Sequence, residues 1–207
     1  MSAPPFICNT SIYDIDGNSY STVQIGAQCW TQNNLKVSKY RNGDAISNII
    51  NPTPWSQTSL TNTGAWCHFD NNQSNGITYG KLYNWHAVND SRGLCPTGWH
   101  IPSLSEWNLL IQTVGTNAPG RAMMSITGWP GINTNTNSSG FTALPGGVRG
   151  ILGNFSNLGS SGYWWSSDIA PQAASRSYLK FLTNSSFLVQ QDIFDHVYGL
   201  SVRCLKD

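Results

Sequence analysis

The sequence predicts an α+β fold in which helices and strands occupy separate stretches of the chain. Three observations predict it. Two period-2 runs bracket an Asp-Gly-Asn turn near the start, helical stripes occur only in the middle, and the second half is made of short apolar runs cut by glycines. Strands and helices do not alternate, so a parallel doubly wound sheet is not written here. No segment repeats at a fixed period.

The elements follow in order. Residues 1–12 read as an N-terminal arm, because Pro4 and Pro5 prevent regular pairing. The domain then runs over 13–207. In "YDIDGNSYSTVQIGAQCWTQNNL", Tyr13 and Ile15 precede the turn and Tyr20, Val23 and Ile25 follow it, which gives a hairpin. Lys36 to Gly64 is polar and broken by prolines, so a long surface loop is expected. "YGKLYNWHAVND" predicts a short helix with Leu82, Trp85 and Val88 on one face.

The stronger helix lies in "CPTGWHIPSLSEWNLL". Ser103 with Glu106 three residues on is a capping box, Leu104, Trp107, Ile111 and Val114 form the stripe, and Gly115 ends it. This makes Trp107 a core residue and Glu106 a cap rather than a catalytic acid. Weak helical patterning recurs around Ala122 to Ile126, and "GWPGINTNTNSSG" reads as an exposed loop. "FTALPGGVRG" and "GNFSNLGSSGYWWSSD" are strand pieces. The last segment holds two or three strands, in which Leu179 and Phe181 face one way and Tyr178 and Lys180 the other. Phe187 and Val189 continue this alternation, and Leu200 and Val202 face the core before Cys204.

Composition narrows the function classes. Charged residues make up 10% of the 207, against the usual ~25%, and the net charge is +1. Twenty-four aromatic residues (nine Trp, eight Tyr, seven Phe) rule against disorder. No basic stripe for tracking phosphates is present, so no nucleic-acid partner is expected. No run approaches ~18 apolar residues, so membrane insertion is not expected either. "MSAPPFICNT" lacks the basic start and apolar stretch of a signal peptide, so export requires a signal outside this sequence or another route. The five cysteines, Cys8, Cys29, Cys67, Cys95 and Cys204, contain no CxxC pair. Disulfides in an oxidising compartment and buried free thiols both fit, and the odd count leaves one thiol unpaired within the chain.

Six stretches occur in one order: "GAQCWTQNNL", "GITYGKLYNWHAV", "GLCPTGWHIPSLSEW", "GFTALPGGVRG", "GYWWSSD" and "YGLSVRCLKD". Together they resemble the Fibrobacter succinogenes major paralogous domain, found often in surface proteins of the Bacteroidetes and their relatives. The resemblance spans roughly residues 13–207. It implies a C-type lectin-like fold, shared with formylglycine-generating enzymes, with two helices, a small mixed or antiparallel sheet and much loop. It also implies a disulfide between Cys95 and Cys204, the positions that match the helix-side and last-strand cysteines of such folds. Relatives often have another cysteine soon after "WCHFD"; Gly76 stands about there, so Cys67 has lost a local partner. Cys29 is the favoured replacement, with Cys8 as the alternative.

No catalytic constellation emerges. His68, His86, His100 and His196 show no HExxH pattern. "GSSGYWW" is not a nucleophile elbow. Asp195 and His196 are neighbours on a strand and point to opposite faces, a poor dyad geometry. There is one Glu and nine Asp with no evident pair for glycoside chemistry. The oxidase relatives use paired cysteines near the C-terminus, where this chain has Cys204 alone. No metal or other cofactor is expected: the Glu-Pro-Asn, Gln-Pro-Asp and Trp-Asn-Asp signatures of calcium-dependent lectins are missing, and "DNNQSNG" at 70–76 fits an Asx-rich turn rather than an EF-hand.

Ligand binding is therefore expected on the late strands and loops, where such folds build their ligand face. The outward candidates are Asp168, Gln172, Arg176, Tyr178, Lys180, Asn184 and Phe187, then Gln190, Gln191, Asp192, Phe194, Asp195, His196 and Tyr198. Aromatic rings give contact area at small entropy cost, and amides and charges add adaptable hydrogen bonds. "YWWSS" before the block and "YGLSVRC" after it read as fixed frame. Some lectin-like proteins are rewritten in such a block by diversity-generating retroelements. The expected function is a non-enzymatic adhesion or ligand-binding domain on a bacterial surface, pilus or phage tail, with a cell-surface protein or glycan as partner. The alternatives are a formylglycine-generating-like oxidoreductase and a purely structural surface domain.

Overall fold

The computed structural model describes residues 7–131 and 134–207. The first six residues of the expected arm, and Ile132 and Asn133 of the expected loop, lie outside the described residues. Strands β1 (Ser11–Tyr13) and β2 (Ser19–Ile25) form the expected hairpin. Its turn is organised by Asp14, a role the sequence did not reveal. The Asp14 carboxylate accepts from the Asp16 and Asn18 amides at 3.0 and 2.9 Å and from the Tyr20 hydroxyl at 2.6 Å. Gly17 takes φ +82°, which a side chain would disfavour. β3 (Gln28–Thr31) pairs with β2.

The stretch 36–64 is not the loop its composition predicts. It holds β4 (Ser47–Asn48), α1 (Pro52–Ser56) and α2 (Thr58–Thr61), and it buries Val37, Tyr40, Ile46 and Trp55. A residue a hundred positions away explains it: the buried Arg149 guanidinium donates to the Ile49 and Ile50 carbonyls and lies 4.2 Å from the Trp55 ring centre. β5 (Ala65–Cys67) leads into a 3₁₀ turn at Phe69–Asn71 and α3 (Gln73–Tyr79), where Asn72 caps the helix by accepting from the Ser74 amide. "DNNQSNG" is thus an Asx-built cap.

The helix predicted over 79–90 is only partly there. Leu82–Tyr83 is strand β6, paired with β5, and the helical part, α4, is Trp85–Val88. Gly80 stops the helix extending backwards: it has φ +80°, and a Cβ there would meet Asn34 and the Leu35 carbonyl. Leu82, Trp85 and Val88 are nevertheless all buried.

After β7 (Trp99–His100), α5 (Leu104–Val114) has both halves of the capping box: the Ser103 amide donates to Glu106 Oε2 at 2.7 Å and the Glu106 amide to Ser103 Oγ at 3.3 Å. Burial raises the Glu106 pKa, but the bonds from Ser103 and His100 outweigh it and the carboxyl ends below its usual value. Trp107 and Leu110 are the buried positions; Leu104, Ile111 and Val114 are half-covered. α6 (Pro119–Met123) follows. Trp129 in the expected exposed loop is buried, donating its Nε1–H to the Ala143 carbonyl.

The second half supplies β8 (Gly146–Arg149), β9 (Phe155–Leu158), β10 (Ser161–Ile169), β11 (Arg176–Thr183), β12 (Ser186–Asp195) and β13 (Leu205–Lys206). Three sheets result, ordered β1-β2-β3-β13-β7, β12-β11-β10-β8-β9 and β4-β5-β6. The chain is therefore α+β. β13 lies between β3 and β7, so the last strand joins the N-terminal hairpin to the start of α5.

The core is aromatic. Trp107 packs against Trp30, Phe141 and Trp164 with ring centres 4.9, 5.7 and 6.5 Å apart. Beside it the buried Arg203 donates to Asn34 Oδ1 and to the carbonyls of Thr31, Phe141 and Thr142. Burial lowers its pKa to about 9.

Two disulfides close the chain. Cys95–Cys204 forms as the resemblance implied, with a Cα–Cα distance of 5.9 Å. The expected Cys29–Cys67 bond does not form: Cys29 bonds Cys8 instead. Cys29 sits on β3 beside the arm, whereas Cys67 sits on β5 of another sheet, sealed with Trp55, Phe69 and Val197. Burial pushes the Cys67 thiol up to about 12.

Candidate ligand-binding face

Strands β10, β11 and β12 form the longest antiparallel surface of the chain. Directly paired residues share a face. Tyr163–Phe181–Gln190, Trp165–Leu179–Asp192 and Ser177–Phe194 therefore lie on one side, and Trp164–Lys180–Gln191 with Tyr178–Ile193 on the other. The second side meets α5 through Trp164 and Lys180, while Gln191 is exposed and Tyr178 and Ile193 are half-buried. The first carries a strip of rings: Tyr163 to Phe181 at 5.5 Å, Tyr163 to Phe194 at 6.0 Å, and Phe194 to Tyr198 at 4.5 Å. Leu179 and Trp165 are sealed between them, while Phe181, Phe194 and Tyr198 stay half-buried. Gln190 and the exposed Asp192 lie beside the rings, and Asn157 Nδ2 donates to the Tyr163 hydroxyl at 2.8 Å.

The structure brings Gln190, Asp192, Phe194 and Tyr198 together on this side. Gln172 and Arg176 are exposed at the β10–β11 turn and Asn184 at the β11–β12 turn, while Gln191 is exposed on the opposite side. Tyr178 and Asp195 are half-buried, and Asp195 accepts from the Val197 amide. Phe187 is half-covered against the Trp107 core, with the Arg121 guanidinium 5.3 Å from its ring centre. Leu188, not Phe187 or Phe194, is the outward apolar residue of β12, at 52% exposure.

Three candidates are not outward. Lys180 is 4% exposed; its ammonium donates to Asn108 Oδ1 on α5 and to Gln191 Oε1, both at 2.8 Å. Burial lowers its pKa. Alternation assigned Lys180 to solvent because it could not see α5 packed over that side. His196 is 9% exposed, stacked on Trp85 at 4.1 Å, with Nε2 3.0 Å from Ser177 Oγ. Asp168 is spent on structure: its carboxylate accepts from the Leu104 amide at the start of α5 and from Ser166 Oγ. Phe181 was missed: it has an inward phase, and no local signal shows that it stays half-buried, whereas Tyr163, read as frame, is buried. The frame assignment holds for Trp164 and Trp165, whose indole N–H groups bond Asn34 Oδ1 and the Tyr83 carbonyl.

A family model described as the Fibrobacter succinogenes major domain matches residues 23–206. The chain belongs to this family. No curated protein and no solved structure matches the chain. The family match takes in every strand from β3 onward, both helix-capping stretches and the Cys95–Cys204 bond. Cys8, which anchors the arm to Cys29, lies before the matched region. Among the described residues no group of three or more His, Cys, Asp or Glu side chains is placed to hold a metal ion, and no helix is long and apolar enough to cross a membrane.

Proposed function

We propose that this member of the family is a non-enzymatic ligand-binding or adhesion domain whose contact surface is the ring strip of β10–β12 with its polar margin. The observation that carries this is the strip itself. Phe181, Phe194 and Tyr198 are half-buried rings set around the buried Tyr163, an apolar edge that the core does not fully cover, flanked by Gln190 and Asp192. Rings with amides and a carboxylate at their margin suit a protein or glycan partner. The two disulfides fit an oxidising compartment, in keeping with display on a bacterial surface, pilus or phage tail. On this reading the fold is the C-type lectin-like one, over 13–207. The pairing of β13 with β3, and the bond from the α5 side to Cys204, support it. The β11–β12 segment would also be the block rewritten by a retroelement, with Gln190, Gln191 and Asp192 among the varied residues.

The oxidoreductase alternative needs a reactive thiol pair near the C-terminus. Cys204 is bonded to Cys95, and burial holds the Cys67 thiol protonated, both of which weigh against it. Two tests apply. The gene neighbourhood should contain a reverse transcriptase and a near-identical template repeat; a gene without either ends the retroelement part. A glycan-array and whole-cell screen of the wild type beside an Asp192→Ala, Phe194→Ala double variant should show binding lost in the variant. Equal binding by both refutes the face.

A further inference from the structure

Helix α4 contains two buried nitrogens without hydrogen-bond partners, Trp85 Nε1 and His86 Nε2. Buried polar groups are nearly always paired, and each orphan costs roughly tenfold or more in the folding equilibrium. Other orphans, such as Trp55 Nε1 and Trp107 Nε1, lie apart in the core. The residues that carry these two nitrogens adjoin each other in sequence and both line a cavity of about 420 Å³, the nitrogens themselves lying beneath its wall, and Trp85 is only 3% exposed.

The walls define what would satisfy them. Trp85 offers an N–H donor. His86 Nε2 donates or accepts according to its tautomer. Asn62, Asn89 and Ser91 also line the cavity, and their side chains make no hydrogen bond with described residues. Ile169 and Ala174 add an aliphatic patch on one side. Charge is nearly cancelled: the Asp90 carboxylate is held by Arg92 at 2.7 Å. The cavity's rings are fixed, with His196 stacked on Trp85 and His86 edge-on to His196 at 5.6 Å. An anion is opposed by Asp90 and Asp195, and a metal ion would compete for His196 Nε2, which already meets Ser177. A small neutral ring carrying several hydroxyls fits all these walls at once. Each hydroxyl both donates and accepts, so it serves Trp85 and either tautomer of His86, while ring C–H groups meet Ile169 and Ala174.

We propose that this cavity binds a single neutral pyranose unit, with Trp85 Nε1 and His86 Nε2 as its buried hydrogen-bonding nitrogens. Both nitrogens are closed to solvent, so with the rings fixed, entry shifts the β10–β11 turn that carries Ala174. The inference goes beyond the ring strip and does not depend on it; among the candidates for that face only His196 lines the cavity.

The test is a sugar titration of ¹⁵N-labelled protein, with the Trp85 indole signal assigned by its loss in Trp85→Phe. Neutral mono- and disaccharides are added up to about 10 mM, enough to reveal millimolar binding. At least one should move the Trp85 signal saturably. Trp85→Phe, which keeps the stack on His196, should weaken binding of that sugar at least about fivefold. His86→Asn serves as the second variant if Trp85→Phe does not fold. Gln190→Ala, Asp192→Ala should bind the sugar unchanged, which separates this site from the sheet face. The proposal is overturned if no sugar moves the signal, if neither variant weakens binding, if Zn²⁺ alone moves the histidine signals, or if a crystal grown with the sugar shows only ordered water on the two nitrogens.

Discussion

Replacing Cys95 and Cys204 with alanine opens the longest cross-link in the chain, and its cost should exceed that of opening the other. The two bonds close sequence separations of 109 and 21 residues. Chain entropy alone assigns about 4.8 kcal/mol to the first and about 3.4 kcal/mol to the second. Packing widens the gap, because Cys95 and Cys204 are sealed in the core whereas Cys8 is only partly covered. The Cys95→Ala, Cys204→Ala variant should therefore be less stable than Cys8→Ala, Cys29→Ala by at least about 1.4 kcal/mol. With a urea slope of about 2 kcal/mol/M, that is a midpoint lower by about 0.7 M. Equilibrium urea unfolding followed by tryptophan fluorescence measures it. Equal midpoints, or a lower one for the Cys8–Cys29 variant, would refute the view that β13 and its cross-link close the domain.

Two further outcomes follow from buried groups. Arg203→Met removes the donor to the carbonyls of Thr31, Phe141 and Thr142 and one of two donors to Asn34 Oδ1, which keeps its bond from Trp164, and should destabilise the chain by on the order of 3 kcal/mol in the same assay. A cost below about 1 kcal/mol would mean these groups are satisfied in another way. His86 and His196 both have lowered pKa values, chiefly through burial, with His196 also lowering His86 and Asp195 partly opposing both shifts. Above the unfolded value of 6.5 their contribution to stability is complete; below it the unfolded chain takes up protons first, and stability falls until the lowered folded values are passed. The carboxyls of Asp16, Asp90 and Glu106 are also lowered, so their losses come at more acid pH, below 3.8 or 4.5. The urea midpoint should thus decline as the pH falls below 6.5, and less steeply in His86→Asn, His196→Asn. A flat profile there contradicts the buried neutral pair.

Local chemistry was legible and distant contact was not. The capping box at Ser103 and Glu106, the turn at Asp16–Asn18 and the core role of Trp107 all depend on neighbours a few residues away, and all are present. The Cys95–Cys204 bond was legible only through family likeness. Errors arose where a remote group decides the outcome. Arg149 turns a polar, proline-broken stretch into packed structure, and α5 buries Lys180. Cys29 met the arm rather than Cys67 because the two cysteines lie in different sheets, which spacing does not encode. At the candidate face, Gln190, Asp192 and Phe194 were named within one outward block without regard to phase, and strand pairing puts them on one side with Phe181, whose inward phase on the inner strand β11 leaves it only half-buried.

The most direct test of the account is partner binding by a Gln190→Ala, Asp192→Ala variant beside Arg92→Ala, whose exposed side chain bridges Asp44 and Asp90 away from the strip. With a partner found by the array and cell screen, surface plasmon resonance should show the strip variant at least about tenfold weaker and Arg92→Ala unchanged. Binding unchanged in the strip variant but lost in Arg92→Ala would place the contact elsewhere and contradict the account.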